Sequence, residues 1–183
     1  MVKWRSALAV GAFIIAALSI GSVAAADDGV SDFVNTYQCS LAGLIAKIEA
    51  NPNKSDTQDR FIILSLPRPI AAYVQCAFDT GDREGICEAS SGYWNNPWEK
   101  PHFSAVQLAA LARLGFSTDG SHGNFQQHMH FPPTGPDPDA LAGLMLRALY
   151  EGYGAHKDIP IEVKAPFALR HGFLPQKRCA LIS

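Results

Sequence analysis

The sequence predicts an α+β fold in which helices pack on one face of an antiparallel sheet. Three observations carry this expectation. Segments whose apolar residues recur every second position stand beside segments with a spacing of three and four. Strands and helices mix without strict βαβ alternation, which argues against a parallel sheet. Two strand-like arms within Ile70 to Ser91 are joined by turn residues, which makes an antiparallel hairpin.

The elements follow in order. From Ser31 to Ala50 the apolar residues Phe33, Val34, Tyr37, Leu41, Leu44, Ile45 and Ile48 form one helical stripe. Ser31 is the expected N-cap, and Asn51-Pro52-Asn53 ends the helix. Phe61 to Leu66 is a short apolar run and a central strand, broken by Pro67 and Pro69. On the first hairpin arm Ala72, Val74, Cys76 and Phe78 alternate with Tyr73, Gln75 and Ala77. Residues 80–85 are turn chemistry, and Ile86 to Ser91 returns.

Gly92 to Pro101 is an aromatic loop broken by proline. Ser104 and Gln107 form a capping box for a helix that Gly115 closes. Asn124 to Phe131 alternates again, with Phe125, Met129 and Phe131 on one face and Gln126, His128 and His130 on the other. Asp137-Pro138 starts a helix over Asp139 to Tyr150, and Gly152 and Gly154 stop it. Ile159 to Val163 is a weak edge strand because of Pro160.

The 183 residues suit one domain, preceded by a leader. Lys3 and Arg5 open it, Ala7 to Ile20 is apolar, and Ala24-Ala25-Ala26 is a small-residue cleavage site. The apolar run falls short of the roughly 20 residues that span a bilayer. A secretory signal peptide over 1–26 is therefore expected in preference to an uncleaved anchor. The α+β domain spans 27–155, and an irregular tail over 156–183 follows, with Cys179 holding it down. The expected location is periplasmic or secreted.

The formal charge is −2, with 15 basic and 17 acidic residues. A mildly acidic chain without a basic cluster argues against nucleic acid and against an anionic membrane surface. Four cysteines in an exported chain point to disulfides. Three pairings are open, besides buried free thiols. Cys76 with Cys87 is preferred because the two face each other across the hairpin, and this leaves Cys39 with Cys179.

The search for chemistry finds no GxSxG, GxGxxG, P-loop or CxxC pattern. Ser90 and Ser91 lack a nucleophile pattern, and Asp82, Glu84 and Glu88 read as surface charge. His128 and His130, two apart on a strand, point the same way and form half of a metal site near His122. A solvated polar face is the plainer reading. Tyr93, Trp94 and Trp98 form a contact patch or fold back to cap the core.

Three segments together carry a resemblance: YVQCAF at Tyr73 to Phe78, CEASSGY at Cys87 to Tyr93, and LAALARLGFSTDGSHGNFQQ at Leu108 to Gln127. They resemble the TY-Chap family and its YbjN-type relatives, which are related to the type III secretion chaperone-like fold. The match runs from about Phe33 to Tyr153. It departs from the family in its leader and in Phe116, where tryptophan is usual. The resemblance implies an α-β-β-β-α-β-β-α order, frequent dimerisation and binding of protein segments without catalysis or cofactor. The function expected is an exported, non-enzymatic, chaperone-like protein-binding module. The alternative is an extracytoplasmic metal- or small-ligand-binding protein that uses His128 and His130.

Overall fold

Alternating apolar and polar residues build the sheet, and a long helical stripe covers it. The computed structural model describes residues 23–53, 55, 58–68, 72–79, 83–177 and 179. The basic start and the apolar run of the expected leader lie outside these residues, as does Asp82 in the hairpin turn.

Helix α1 covers Val23–Ala50 and is followed by strands β1 (Phe61–Ser65), β2 (Tyr73–Phe78) and β3 (Glu84–Ala89). Helix α2 (Ala105–Arg113), strand β4 (Phe125–His130) and helix α3 (Pro138–Arg147) come next, and α3 runs on into a wide turn over Ala148–Gly152. Strands β5 (Glu162–Ala165) and β6 (Arg170–Phe173) close the chain. All six strands form one antiparallel sheet in the order β4-β3-β2-β1-β5-β6. The fold is α+β.

The register puts Ile62, Leu64, Val74, Cys76, Phe78, Cys87, Ala89, Phe125, Val163 and Ala165 on one buried face. Phe33, Tyr37, Leu41, Ile45 and Ile48 of α1 share that core with Leu141, Met145, Leu146 and Leu149. Phe33 stacks on both Tyr37 and Tyr150, with ring centroids 5.3 Å apart in each pair. The opposite face carries Phe61, Ile63, Tyr73, Gln75, Ala77, Ile86 and Glu88, all only partly buried. The helices thus cover one face, as the alternation requires.

Two helix signals act as expected. The Ser104 side chain accepts from Gln107 N while Gln107 returns a bond to Ser104 N, so the capping box is complete. At the other end Gly115 takes φ +96°, with Gly115 N donating to Ala112 O and Phe116 N to Leu111 O. That is a Schellman closure, and glycine suits its left-handed backbone. Asp137 caps α3 by accepting from Asp139 N and Ala140 N.

Two expectations are corrected. Helix α1 does not start at Ser31: it already covers Val23–Ala50 among the described residues, so Ser31 lies inside it. Alanine has the highest helix propensity, and the backbone of Ala24-Ala25-Ala26, the expected cleavage site, is helical and continuous with the segment that Ser31 was expected to cap. The terminal segment is not irregular. Strand β5 lies inside the sheet between β1 and β6, and β6 is the edge. The element order is therefore α-β-β-β-α-β-α-β-β, not the order the resemblance implies. Both strands have four residues, and β6 (RHGF) buries none of them, so it shows no apolar period.

Candidate functional site: an exposed aromatic loop and a histidine edge

The aromatic loop is held from beneath. Ser91 Oγ donates to Gly123 O at 2.6 Å and accepts from Tyr93 N at 3.1 Å. Ser91 N reaches Asn124 Oδ1, and Asn124 Nδ2 donates to Tyr73 Oη at 2.7 Å. Asn95 N closes a turn on Gly92 O. The neighbouring loop is stiffened by Asp119, which accepts from Ser121 Oγ, Ser121 N and Ser117 Oγ. These bonds, led by the Ser121 hydroxyl, hold the Asp119 carboxyl below its usual range.

On this support Tyr93 is 57% exposed, Trp94 74% and Trp98 81%. Tyr93 and Trp94 meet edge to face at 4.8 Å. The Trp94 ring lies over Gly123, where a Cβ would sit 3.3 Å from the indole and where φ is +82°. The three rings do not fold back over the core. Phe103 caps it, packed against Phe125 at 5.3 Å and Tyr153 at 5.5 Å. Tyr153, buried, donates its hydroxyl to Ser90 O at 2.7 Å. Burial raises its phenol well above the usual value. Ser90 and Ser91 are thus loop supports.

His128 and His130 lie on the uncovered face of β4, both exposed. His130 Nδ1 is 3.6 Å from Glu84 Oε1. Beside them a hollow of about 340 Å³ is lined by Ala77, Ile86, Glu84 and both histidines. Among the described residues no three His, Cys, Asp or Glu side chains converge on one point, so His122 does not complete the set. Met129 turns to the covered face, with Sδ 3.3 Å from Cys87 Sγ.

Two arrangements escaped the sequence. Glu88 is clasped on the open face by Gln75 Nε2 and by Gln126 Nε2, the latter at 2.8 Å. Only the register aligns these three residues. At the end of α1, Glu49 lies near the fully buried Arg60, whose Nη1 donates to Asp79 O. Eleven residues separate the two charges, and no spacing rule links them.

The cysteines pair as preferred. Cys76 and Cys87 are cross-strand partners with Cα atoms 4.1 Å apart, and Cys39 and Cys179 lie at 5.3 Å. Among the described residues no helix is long and apolar enough to cross a membrane. No family profile, characterised protein or solved structure matches this chain.

Proposed function

We propose that this protein is an exported, non-enzymatic binding module of the secretion-chaperone-like kind, and that Tyr93, Trp94 and Trp98 grip a protein partner. One observation carries the reading. Three large aromatic side chains stand exposed on one loop, two of them, Tyr93 and Trp94, in contact, and side-chain hydrogen bonds hold the Ser91–Tyr93 end of that loop. Exposed aromatics on a rigid support give contact area at low entropic cost and dominate binding hot spots. The signal-like leader and two disulfides favour an oxidising compartment, periplasmic or extracellular.

A photo-crosslinking residue at position 94 or 98 tests this in the native envelope fraction. Adducts should form from both positions and not from position 106, where Val106 is equally exposed on α2. Trp94→Ala with Trp98→Ala should weaken capture by about thirtyfold or more, since the loss of even one hot-spot side chain costs roughly 2 kcal/mol or more. Equal adducts from position 106, or capture unaffected by the double substitution, would remove the loop as the contact site.

A further inference from the structure

The two edges of the sheet are unlike. On β6 the alternation turns the backbone groups of His171 and Phe173 outward, and the Arg170 guanidinium covers the Phe173 carbonyl. A charged side chain of this kind refuses a further strand. On β4, Phe131 N donates inward to Arg83 O at 2.8 Å, so Gln126, His128 and His130 point their backbone groups away from the sheet. Ser117 N takes the Gln126 carbonyl at 2.7 Å. Among the described residues no bond is made to the outward groups of His128 and His130. Strand β4 also has no Lys, Arg, Asp or Glu to repel a second strand.

We propose that this edge pairs with β4 of a second copy about a two-fold axis through Met129, and that His128 and His130 of both copies close around one Zn²⁺. The register is forced. His-Met-His reads alike in both directions, and the outward groups belong to the even-numbered residues. His128 therefore faces His130 of the second copy, and the reverse, in two hydrogen-bonded pairs. The four Cβ atoms form a rectangle of about 5.5 by 6.8 Å on one face of the joined sheet. Four imidazoles over such a rectangle reach one ion on the axis at the usual Zn–N distance of about 2.0–2.1 Å. A set of imidazoles alone in a tetrahedron suits zinc.

A single chain brings only two ligands, and the second copy supplies the missing two. A foreign peptide on this edge would supply none. The Glu84 carboxylate beside His130 Nδ1 leaves Nε2 for the metal, as carboxylates behind ligating histidines do. The free edge spans only His128 to His130, because Ser117 blocks Gln126 and Pro132 lacks an amide proton. So short a ladder buries far less than the roughly 1,000 Å² of a stable interface, and the pairing depends on the metal.

The test uses the purified protein with its disulfides intact. Zn²⁺ should double the mass measured by light scattering, at one ion per two chains by calorimetry, and EDTA should reverse it. His128→Ala and His130→Ala should each leave the protein monomeric with Zn²⁺ present. Trp94→Ala with Trp98→Ala should still double, which separates this site from the proposed contact loop. One ion per chain without a change of mass would overturn the proposal. So would no binding at micromolar Zn²⁺, or a dimer that persists in EDTA and in both histidine variants.

Discussion

At the residue scale, Glu49 sits where two costs meet. Burial first raises its pKa to about 7 from 4.5, Asp137 adds to this, and Arg60 opposes it. Arg60 is lowered in turn, again by burial first. For both groups burial is the largest influence, and it is opposed on Arg60 first by Asp79 and then by Glu49. Glu49 Oε1 has no hydrogen-bond partner among the described residues. Because the folded pKa lies above the unfolded one, the native state binds the extra proton. Its stabilisation is complete below pH 4.5 and fades as pH rises through about 7. Discounted for partial exposure, the effect is about 1–2 kcal/mol. Urea unfolding should show stability falling between pH 5 and pH 8, and Glu49→Gln should flatten that fall. An equal slope in the variant would show that another group carries it.

At the element scale, the β2–β3 hairpin shows what could be read beforehand and what could not. Its period of two was plain in YVQCAF, and the burial of Val74, Cys76 and Phe78 follows it. The facing cysteines followed from the same alternation. Caps at Ser104, Gly115 and Asp137 were equally legible, because each signal lies within a few residues. Strands β5 and β6 were not, since β6 belongs to the sheet through its ladder with β5 and buries nothing. The candidate site divides the same way. Tyr93, Trp94 and Trp98 could be named from sequence, but their exposure depended on Phe103 taking the core position. The Gln75–Glu88–Gln126 clasp needed the register. The hairpin disulfide closes a short loop, with a sequence separation of 11. Its closure entropy is about 3 kcal/mol. Cys76→Ala with Cys87→Ala should cost that much, plus a small cavity term because both sulfurs are buried. Denaturant unfolding that loses less than about 1 kcal/mol would show that the ladder holds the hairpin unaided.

At the scale of the whole molecule, the chain is closed by a strap. After β6, Leu174 buries its side chain and its N–H donates to Ile161 O at 2.8 Å. The strand then turns along α1. Gln176 Nε2 donates to Lys157 O at 2.8 Å and to Tyr37 Oη at 2.9 Å, and Lys177 N donates to Thr36 O at 2.8 Å. Cys179 ends the strap on Cys39, a sequence separation of 140. The sheet's β6 side and the helix layer are thereby tied near the two ends of the domain. A loop of this length carries a closure entropy of about 5 kcal/mol, against about 3 for the hairpin, because the term grows with the logarithm of length. Cys39 is half-buried and Cys179 exposed, so replacing them removes little packing. Cys39→Ser with Cys179→Ser should therefore report the closure term almost alone. At about 2–4 °C per kcal/mol for a domain of this size, the melting temperature should fall by about 10–20 °C. Limited proteolysis should then cut first at Lys177, while β5 and β6 stay protected by their ladder to β1. A fall of only a few degrees would mean that the bonds to Thr36, Tyr37 and Lys157 hold the strap without the disulfide. Early cleavage within 162–173 would mean that the strap, and not the β1 ladder, keeps the last two strands in the sheet.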